Sequence, residues 1–472
     1  VLLALFGAAA ASASGSVIAV GSDPFTNTTS QHATAVEPDS FAFGQTVVEA
    51  SQLGRFFSAG SSAIGWARSG DGGSTWVSGS LPGITPFTSS AGPYDRVSDP
   101  SVAYDRKHGV WLVSSLALSE TPSPVHGAAV IVSRSTSDGV SWANPVAVMQ
   151  SAGDPDKNWT ACDNSPTSPF YGSCYTEWDN AGQSNLIQIS TSNDGGLSWS
   201  TAAATANLAH GIGGQPLVRA GGAVIVPILN ATETKLLWFR SRDGGASWGA
   251  THLVSALAVH RVAGALRAPS LPSAEIDKAG KIYVVWADCR FRGSCTSNDV
   301  VMATLTGTTW SPVKRVPLDG AQSGQDHFLP SIAVDRASSG PTARITVSYY
   351  HYPVAACSLT TCRLDAAASS SADGGTTWTP PTLVAGPMSL SWLPDTSQGR
   401  MIGDYFSTSY VAGVPYTFLS VATDPLGSGQ AFDQFLATAA LPTAAHVASS
   451  RPVDTHVTSS ARSSVGRLLT AR

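Results

Sequence analysis

Apolar residues along this chain come in short runs, and small polar residues or glycine end each run. Five of the runs open at a proline: Pro38-Asp39-Ser40-Phe41, Pro100-Ser101-Val102-Ala103, Pro216-Leu217-Val218, Pro269-Ser270-Leu271 and Pro330-Ser331-Ile332-Ala333. Runs of this length bounded by turn residues predict strands, and their recurrence predicts the innermost strands of a set of repeated units. A further opening, Gly403-Asp404-Tyr405-Phe406, leads to strand candidates over Val414–Ala422 and over 433–439, which gives a last unit of three strands. Its fourth strand is expected from residues 16–20, Ser-Val-Ile-Ala-Val, which would close a ring by pairing with the last unit.

Between the strand runs one phrase keeps returning. It reads Ser69-Gly70-Asp71-Gly72-Gly73-Ser74-Thr75-Trp76, and it recurs with Asp194 over 192–199, with Asp243 over 241–248 and with Asp373 over 371–378. The aspartate can accept hydrogen bonds from amides of its own turn, the glycines permit positive φ, and the tryptophan fills the space between neighbouring units. A weaker copy over 135–142 has Ser137 at the aspartate position, and a worn remnant is left at Thr306-Gly307-Thr308-Thr309-Trp310. Counting these, the tryptophans fall at 76, 142, 199, 248, 310 and 378, a spacing that suits four strands plus loops per unit. The phrase resembles the Asp box, or BNR repeat, of the sialidase-like β-propellers, and the chain looks like secreted microbial proteins of that family. The expected fold is an all-β propeller over residues 16–441 with seven four-stranded blades, six being the alternative, and with Asp71, Asp194, Asp243 and Asp373 as structural staples.

Composition agrees with many short strands and tight turns: charged residues make up 12%, against 45 glycines and 13 tryptophans. A net charge of −5 gives no support to a nucleic-acid partner. Residues 1–15 resemble the apolar core and cleavage zone of a signal peptide, too short to span a membrane, so a secreted protein is expected. Six cysteines fall in three close pairs, Cys162 with Cys174, Cys289 with Cys295 and Cys357 with Cys362, which read as loop disulfides within single blades. Asn27, Asn158 and Asn230 head glycosylation sequons. Over 442–472 the pattern stops and alanine, serine and threonine take over, which predicts a disordered tail. A monomer is expected.

In a four-stranded blade the start of the first strand and the turn between the second and third lie on one face, and the Asp boxes lie on the other. The first set carries Glu37, Arg96, Asp99, Asp156, Lys157, His210, Arg267, Asp326, His327, Arg400, Asp404 and Tyr405. The second adds Arg55, Glu177, Trp178, Asp179, Asp288, Arg290, Arg292 and Tyr349 to Tyr352. Arginine, carboxylate and aromatic side chains concentrated this way favour an anionic or polyhydroxylated ligand. The bland readings stand beside this one: single aspartates cap strand ends, Trp178 and Trp286 pack between blades, and the Cys289–Cys295 loop braces a hairpin around Arg290 and Arg292.

The sialidase resemblance implies three arginines on a substrate carboxylate, a tyrosine–glutamate nucleophile and an aspartate acid/base. Carried onto this chain, it implies Arg267, Arg290 and Arg400 as the cluster, Tyr405 with Glu177 as the pair and Asp99 as the acid/base. The family's Arg-Ile-Pro signature is absent, because Val36-Glu37-Pro38-Asp39 stands there. A propeller polysaccharide lyase acting on uronate-containing glycans is the alternative, with arginines (Arg96 and Arg292 among the candidates) neutralising the uronate and His327, Tyr350 or His351 moving the proton. A non-catalytic glycan-binding propeller is the third reading. No cofactor is called for, and a calcium ion in the channel is left open.

Overall fold

The computed structural model describes residues 17–150, 153–426 and 429–444. The expectations for residues 1–15, and for the tail apart from 442–444, lie outside the described residues.

The chain folds as an all-β propeller. Five sheets of four or five strands stand alone; their first strands begin at Pro155, Gly211, Ser273, Asp326 and Ser407. The two N-terminal units are one eight-stranded sheet. In it the strands Gln31–Phe43, Thr46–Arg55, Ser61–Ser69 and Val77–Ser80 meet Arg96–Asp105, Val110–Ser119, His126–Ser135 and Val146–Gln150 through a single residue pair, Ser61 with Val97. The expectation of seven, or six, separate four-stranded blades is therefore corrected: five blades are separate sheets, and hydrogen bonding joins the first two units. Composition cannot reveal such a junction, because it depends on Ser61 approaching the start of the next unit, where the Ser61 hydroxyl also donates to the Val97 carbonyl at 2.7 Å. A small hairpin, Asp395–Thr396 with Gly399–Arg400, precedes the last blade.

The last blade closes as its three-strand sequence requires. Ile18–Gly21 runs antiparallel to Gln434–Ala440, so the chain start supplies the outer strand. In the fifth unit the innermost strand is Ser273–Ile276, four residues later than the Pro269 opening suggests, because Pro272 rather than Pro269 precedes it.

Cores form between adjacent blades, where strand alternation places apolar side chains on both faces. Trp111, Trp178 and Trp286 are fully buried there. Each Asp box forms the turn from third to fourth strand. Asp71 Oδ1 accepts the amides of Ser74 and Thr75 and the Ser69 hydroxyl, and Asp194 and Asp373 repeat the pattern. In the degenerate copy the Ser137 hydroxyl accepts the Ser141 amide at 2.9 Å, a one-oxygen version of the same turn. The three disulfides form within units as paired above. Asn158 is buried with its amide on Ser114, so this sequon is closed to modification in the folded protein.

Candidate functional site

The site is built from bulges. In three consecutive inner strands the register with the second strand skips, between Val36 and Asp39, Ser98 and Ser101, and Asp156 and Trp159. At each skip one residue takes a positive φ: Glu37 at 55°, Asp99 at 50° and Lys157 at 50°. Non-glycine residues adopt that conformation at a cost, and here it re-aims a charged side chain where plain alternation would not put it. Leu329 occupies the same kind of bulge in the strand Asp326–Val334, with φ 47°.

The re-aimed side chains meet Asp404, which follows Gly403 in the last blade. Asp404 Oδ1 accepts Arg267 Nε at 2.6 Å, and Oδ2 accepts Lys157 Nζ at 2.7 Å together with Arg267 Nη2. Lys157 Nζ is also 3.7 Å from Asp99 Oδ2. The Asp404 amide donates to Glu37 Oε1 at 3.0 Å, and Gln52 donates to Glu37 Oε2. Arg55 completes the group, donating to Gln52 Oε1 and to the Gly60 carbonyl. Four blades thus contribute to one ionic knot at the channel mouth.

The knot splits its carboxyls. Burial would raise Asp404, but the charges and hydrogen bonds of Arg267 and Lys157 outweigh it and hold the carboxyl well below the usual carboxylate range. Burial pushes Asp156 up to about 6 and Glu37 up to about 7, with Lys157 only partly offsetting each. Asp156 and Asp404 line the same open cleft of about 550 Å³, together with Lys157, Arg267, His260 and Arg261. One carboxyl is thereby able to give a proton near neutral pH while its neighbour stays charged.

His260 and Arg261 come from the loop between the fourth and fifth units, which carries no strand pattern. His260 Nδ1 lies 3.1 Å from the Cys295 carbonyl, which can only accept, and Nε2 lies 3.9 Å from the buried Asp326 Oδ2. The His260 amide donates to Asn298 Oδ1 and the Asn298 amide group donates back to the His260 carbonyl, both at 2.8 Å. Arg261 is exposed and has no ion-pair partner among the described residues.

The other residues singled out from sequence fall in separate places. Arg267, Arg290 and Arg400 do not converge: Arg267 holds Asp404, Arg290 holds Asp288 at 2.6 Å, and Arg400 donates to the Leu393 carbonyl at 2.9 Å. Tyr405 and Glu177 are not paired either. The Tyr405 hydroxyl donates to the Pro100 carbonyl at 3.1 Å, while the buried Glu177 carboxyl lies against Gly214, where any Cβ would collide with it. Burial raises both groups well above their ordinary pKa values. Tyr350 is packing, its hydroxyl donated to the Ser420 carbonyl. Arg96 pairs with Glu120 and stacks on Phe56.

His327 and His351 stack with ring centroids 5.7 Å apart, and burial lowers them to about 3 and about 4, so both are neutral. Arg292 is beside them but caged. Its Nη2 sits 2.6 Å from Asp299 Oδ1, 2.8 Å from Asp319 Oδ1 and 3.4 Å from His327 Nδ1. Asp299, Asp319 and His327 are spaced as metal ligands would be, but the Arg292 guanidinium already supplies the cation at their centre. Sequence reasoning missed His260 and Arg261, whose only signal was a histidine–arginine pair in the mostly apolar stretch before Arg267.

No protein-family profile matches the chain, and no curated protein matches it. Among solved structures, a polysaccharide lyase of family PL25, an ulvan lyase, aligns with a TM-score of 0.53 at 10% identity, over 91% of this chain and 97% of that one. The Hadza microbial sialidase Hz136 aligns with a TM-score of 0.45 at 16% identity, over 67% of this chain, which spans only 63% of that sialidase. A mutant of the NanB sialidase from Streptococcus pneumoniae aligns with a TM-score of 0.44 at 12% identity, over 89% of this chain and 70% of that one. No helix among the described residues is long and apolar enough to cross a membrane. The chain resembles the sialidase-like β-propellers in fold.

Proposed function

We propose that this chain is an extracellular glycan-cleaving propeller, a glycoside hydrolase of the sialidase-like fold whose active site is the channel-mouth cleft. The observation that carries the reading is that Asp156 and Asp404 line one cleft with Lys157, whose ammonium Asp404 holds at 2.7 Å, while burial raises the Asp156 carboxyl and the two cations on Asp404 lower its own. Asp156 is the general acid that protonates the leaving glycosidic oxygen as the bond to the anomeric carbon breaks. The charged Asp404 stabilises the positive charge that develops on the sugar, and water then adds at that carbon as the Asp156 carboxylate takes its proton and is restored to the acid. Arg261, a cleft cation with no ion-pair partner among the described residues, suits an acidic group on the glycan through its planar fork. Three disulfides suit an oxidising, extracellular setting.

One observation favours elimination as the second reading. His260 lines the same cleft as Arg261 and Arg267, an imidazole and cations of the kind that uronate lyase chemistry uses. The fold likeness to a PL25 ulvan lyase is consistent with it.

Incubation with sialosides, alginate, polygalacturonate and ulvan separates the two. Hydrolysis releases reducing ends without new ultraviolet absorbance, is lost in Asp156→Asn, and slows as pH rises above about 6, because the acid must be protonated. Elimination gives products with a new double bond and is lost in His260→Ala. Absence of both products across these substrates would overturn the enzyme reading.

A further inference from the structure

The chain has 15 Phe, 13 Trp and 11 Tyr, and among the described residues only Phe57, at 56%, and Phe291, at 38%, have exposed side chains. Every other aromatic ring among the described residues is buried or half-buried, so these two are the phenyl faces offered to solvent. Both are on the cleft face and in the same kind of position, a turn from second to third strand. Phe57 lies between Thr46–Arg55 and Ser61–Ser69, and Phe291 lies between Ile282–Asp288 and Asp299–Thr306.

Each turn is tied to the cleft through a different neighbour. The Phe57 carbonyl accepts the Ser397 amide at 2.9 Å, and the adjacent Gln398 lines the cleft. That hairpin holds the cleft loop in turn, since Arg267 and Arg400 exchange backbone hydrogen bonds with Arg400 and Ala265. On the other side, Phe291 sits in the loop closed by Cys289–Cys295, whose Cys295 carbonyl fixes His260. The rings are therefore mounted on rigid supports at two ends of the loop that forms the cleft wall. Val259, on that loop and 44% exposed, adds apolar surface to the same wall.

We infer that Phe57 and Phe291 are stacking platforms for sugar rings outside the cleft, so that the ligand is a polymeric glycan threaded across the face and not a single terminal sugar. This rests on the glycan reading above. Pyranose rings present apolar C–H faces that pack on aromatic rings, and a rigid phenyl gives up little conformational entropy when it binds. Among the described residues no hydrogen bond, ion pair or ring contact joins the Phe57 or Phe291 side chain to the ionic knot, so their loss is expected to leave the chemistry of the cleft in place.

The test is calorimetric titration of the full chain with alginate, polygalacturonate, ulvan and polysialic acid, and with the dimer of whichever polymer binds. Phe57→Ala and Phe291→Ala are expected to weaken polymer binding by roughly three- to tenfold each. Dimer affinity and the melting temperature should stay unchanged. Polymer affinity equal to that of the unsubstituted protein in both variants, or an equal loss for polymer and dimer, would overturn the inference. If the unsubstituted protein binds none of the polymers, the glycan reading itself fails, and the two failures are told apart by that control.

Discussion

Glu49 is fully buried on the strand Thr46–Arg55, on a side of the first unit where its strand neighbours Val47 and Leu53 are apolar. Burial raises its pKa well above the ordinary 4.5; the Asp39 carboxyl adds to the rise, and the Ser51 hydroxyl and Ala67 backbone only partly oppose it. The folded state therefore holds a proton that the unfolded chain releases. Below about pH 4.5 both states are protonated and the stability is fully present; it falls as pH rises from there toward the folded value. Glu49→Gln removes the titration, so its melting temperature should match the parent near pH 4 and exceed it increasingly towards about pH 8. A constant difference across that range would show that Glu49 does not titrate as its burial requires. At this scale the sequence was partly legible. Asp99, Arg267 and Asp404 could be named because they stand near the apolar runs read as inner strands, yet the partner of Arg267 could not, since the bulges that swing Glu37, Asp99 and Lys157 into one knot are features of register. Tyr405 and Glu177 failed as a pair for the same reason: each faces a different neighbour, Pro100 and Gly214.

The repeated turn and the disulfide loop are the elements on which the site depends. Asp243 accepts the Ser247 amide at 3.0 Å and the hydroxyls of Ser241 and Ser247, on the face away from the cleft. Asp243→Ala should cost about 0.5–2 kcal/mol, by analogy with the loss of a helix cap, and should leave glycan binding unchanged. A folded variant that lost binding would contradict the placement of these turns. The Cys289–Cys295 loop acts differently, because the Cys289 amide donates to the Ala258 carbonyl at 2.7 Å and the Cys295 carbonyl holds His260. Opening it with Cys289→Ser and Cys295→Ser should raise amide hydrogen exchange over residues 258–262, while exchange in the strand Asp326–Val334 stays protected. Unchanged exchange in the loop would mean that the hydrogen bonds hold it without the cross-link. The pairing of these cysteines was legible from spacing; the loop they fix was not, because residues 257–268 contain neither a strand period nor a turn phrase, and the Pro269-Ser270-Leu271 run after them reads as a strand where the structure has loop.

At the scale of the whole molecule, the ring is closed by a strand that precedes the first unit and pairs with the last. The repeat of tryptophans and the three-strand last unit made that closure legible, whereas the fusion of the first two units through Ser61 and Val97 left no trace in composition. Ile18–Gly21 pairs with Gln434–Ala440, and Val20 packs with Ala35, Leu53, Ala67 and Leu436 across the seam between the last and first units. The seam is reinforced nearer the channel by Ser40, whose hydroxyl bonds those of Ser407 and Ser409 at 2.8 and 2.9 Å, and by Tyr416, whose hydroxyl donates to the Gly72 carbonyl. Removing residues 1–22 would expose the edge of Gln434–Ala440 and uncover this apolar seam, while every group of the ionic knot except Asp404 lies on another blade. Asp404 is reached through the last blade, so loosening the seam should carry to the site. The truncated protein is expected to melt at a lower temperature, to scatter light on heating through edge-to-edge association, and to lose glycan affinity before it loses its strand content. Thermal unfolding followed by circular dichroism and light scattering, with titration of the bound polymer at each temperature, checks all three. A truncated chain that melts and binds like the parent would show that the hydroxyl contacts around Ser40 and Tyr416 close the ring without the N-terminal strand.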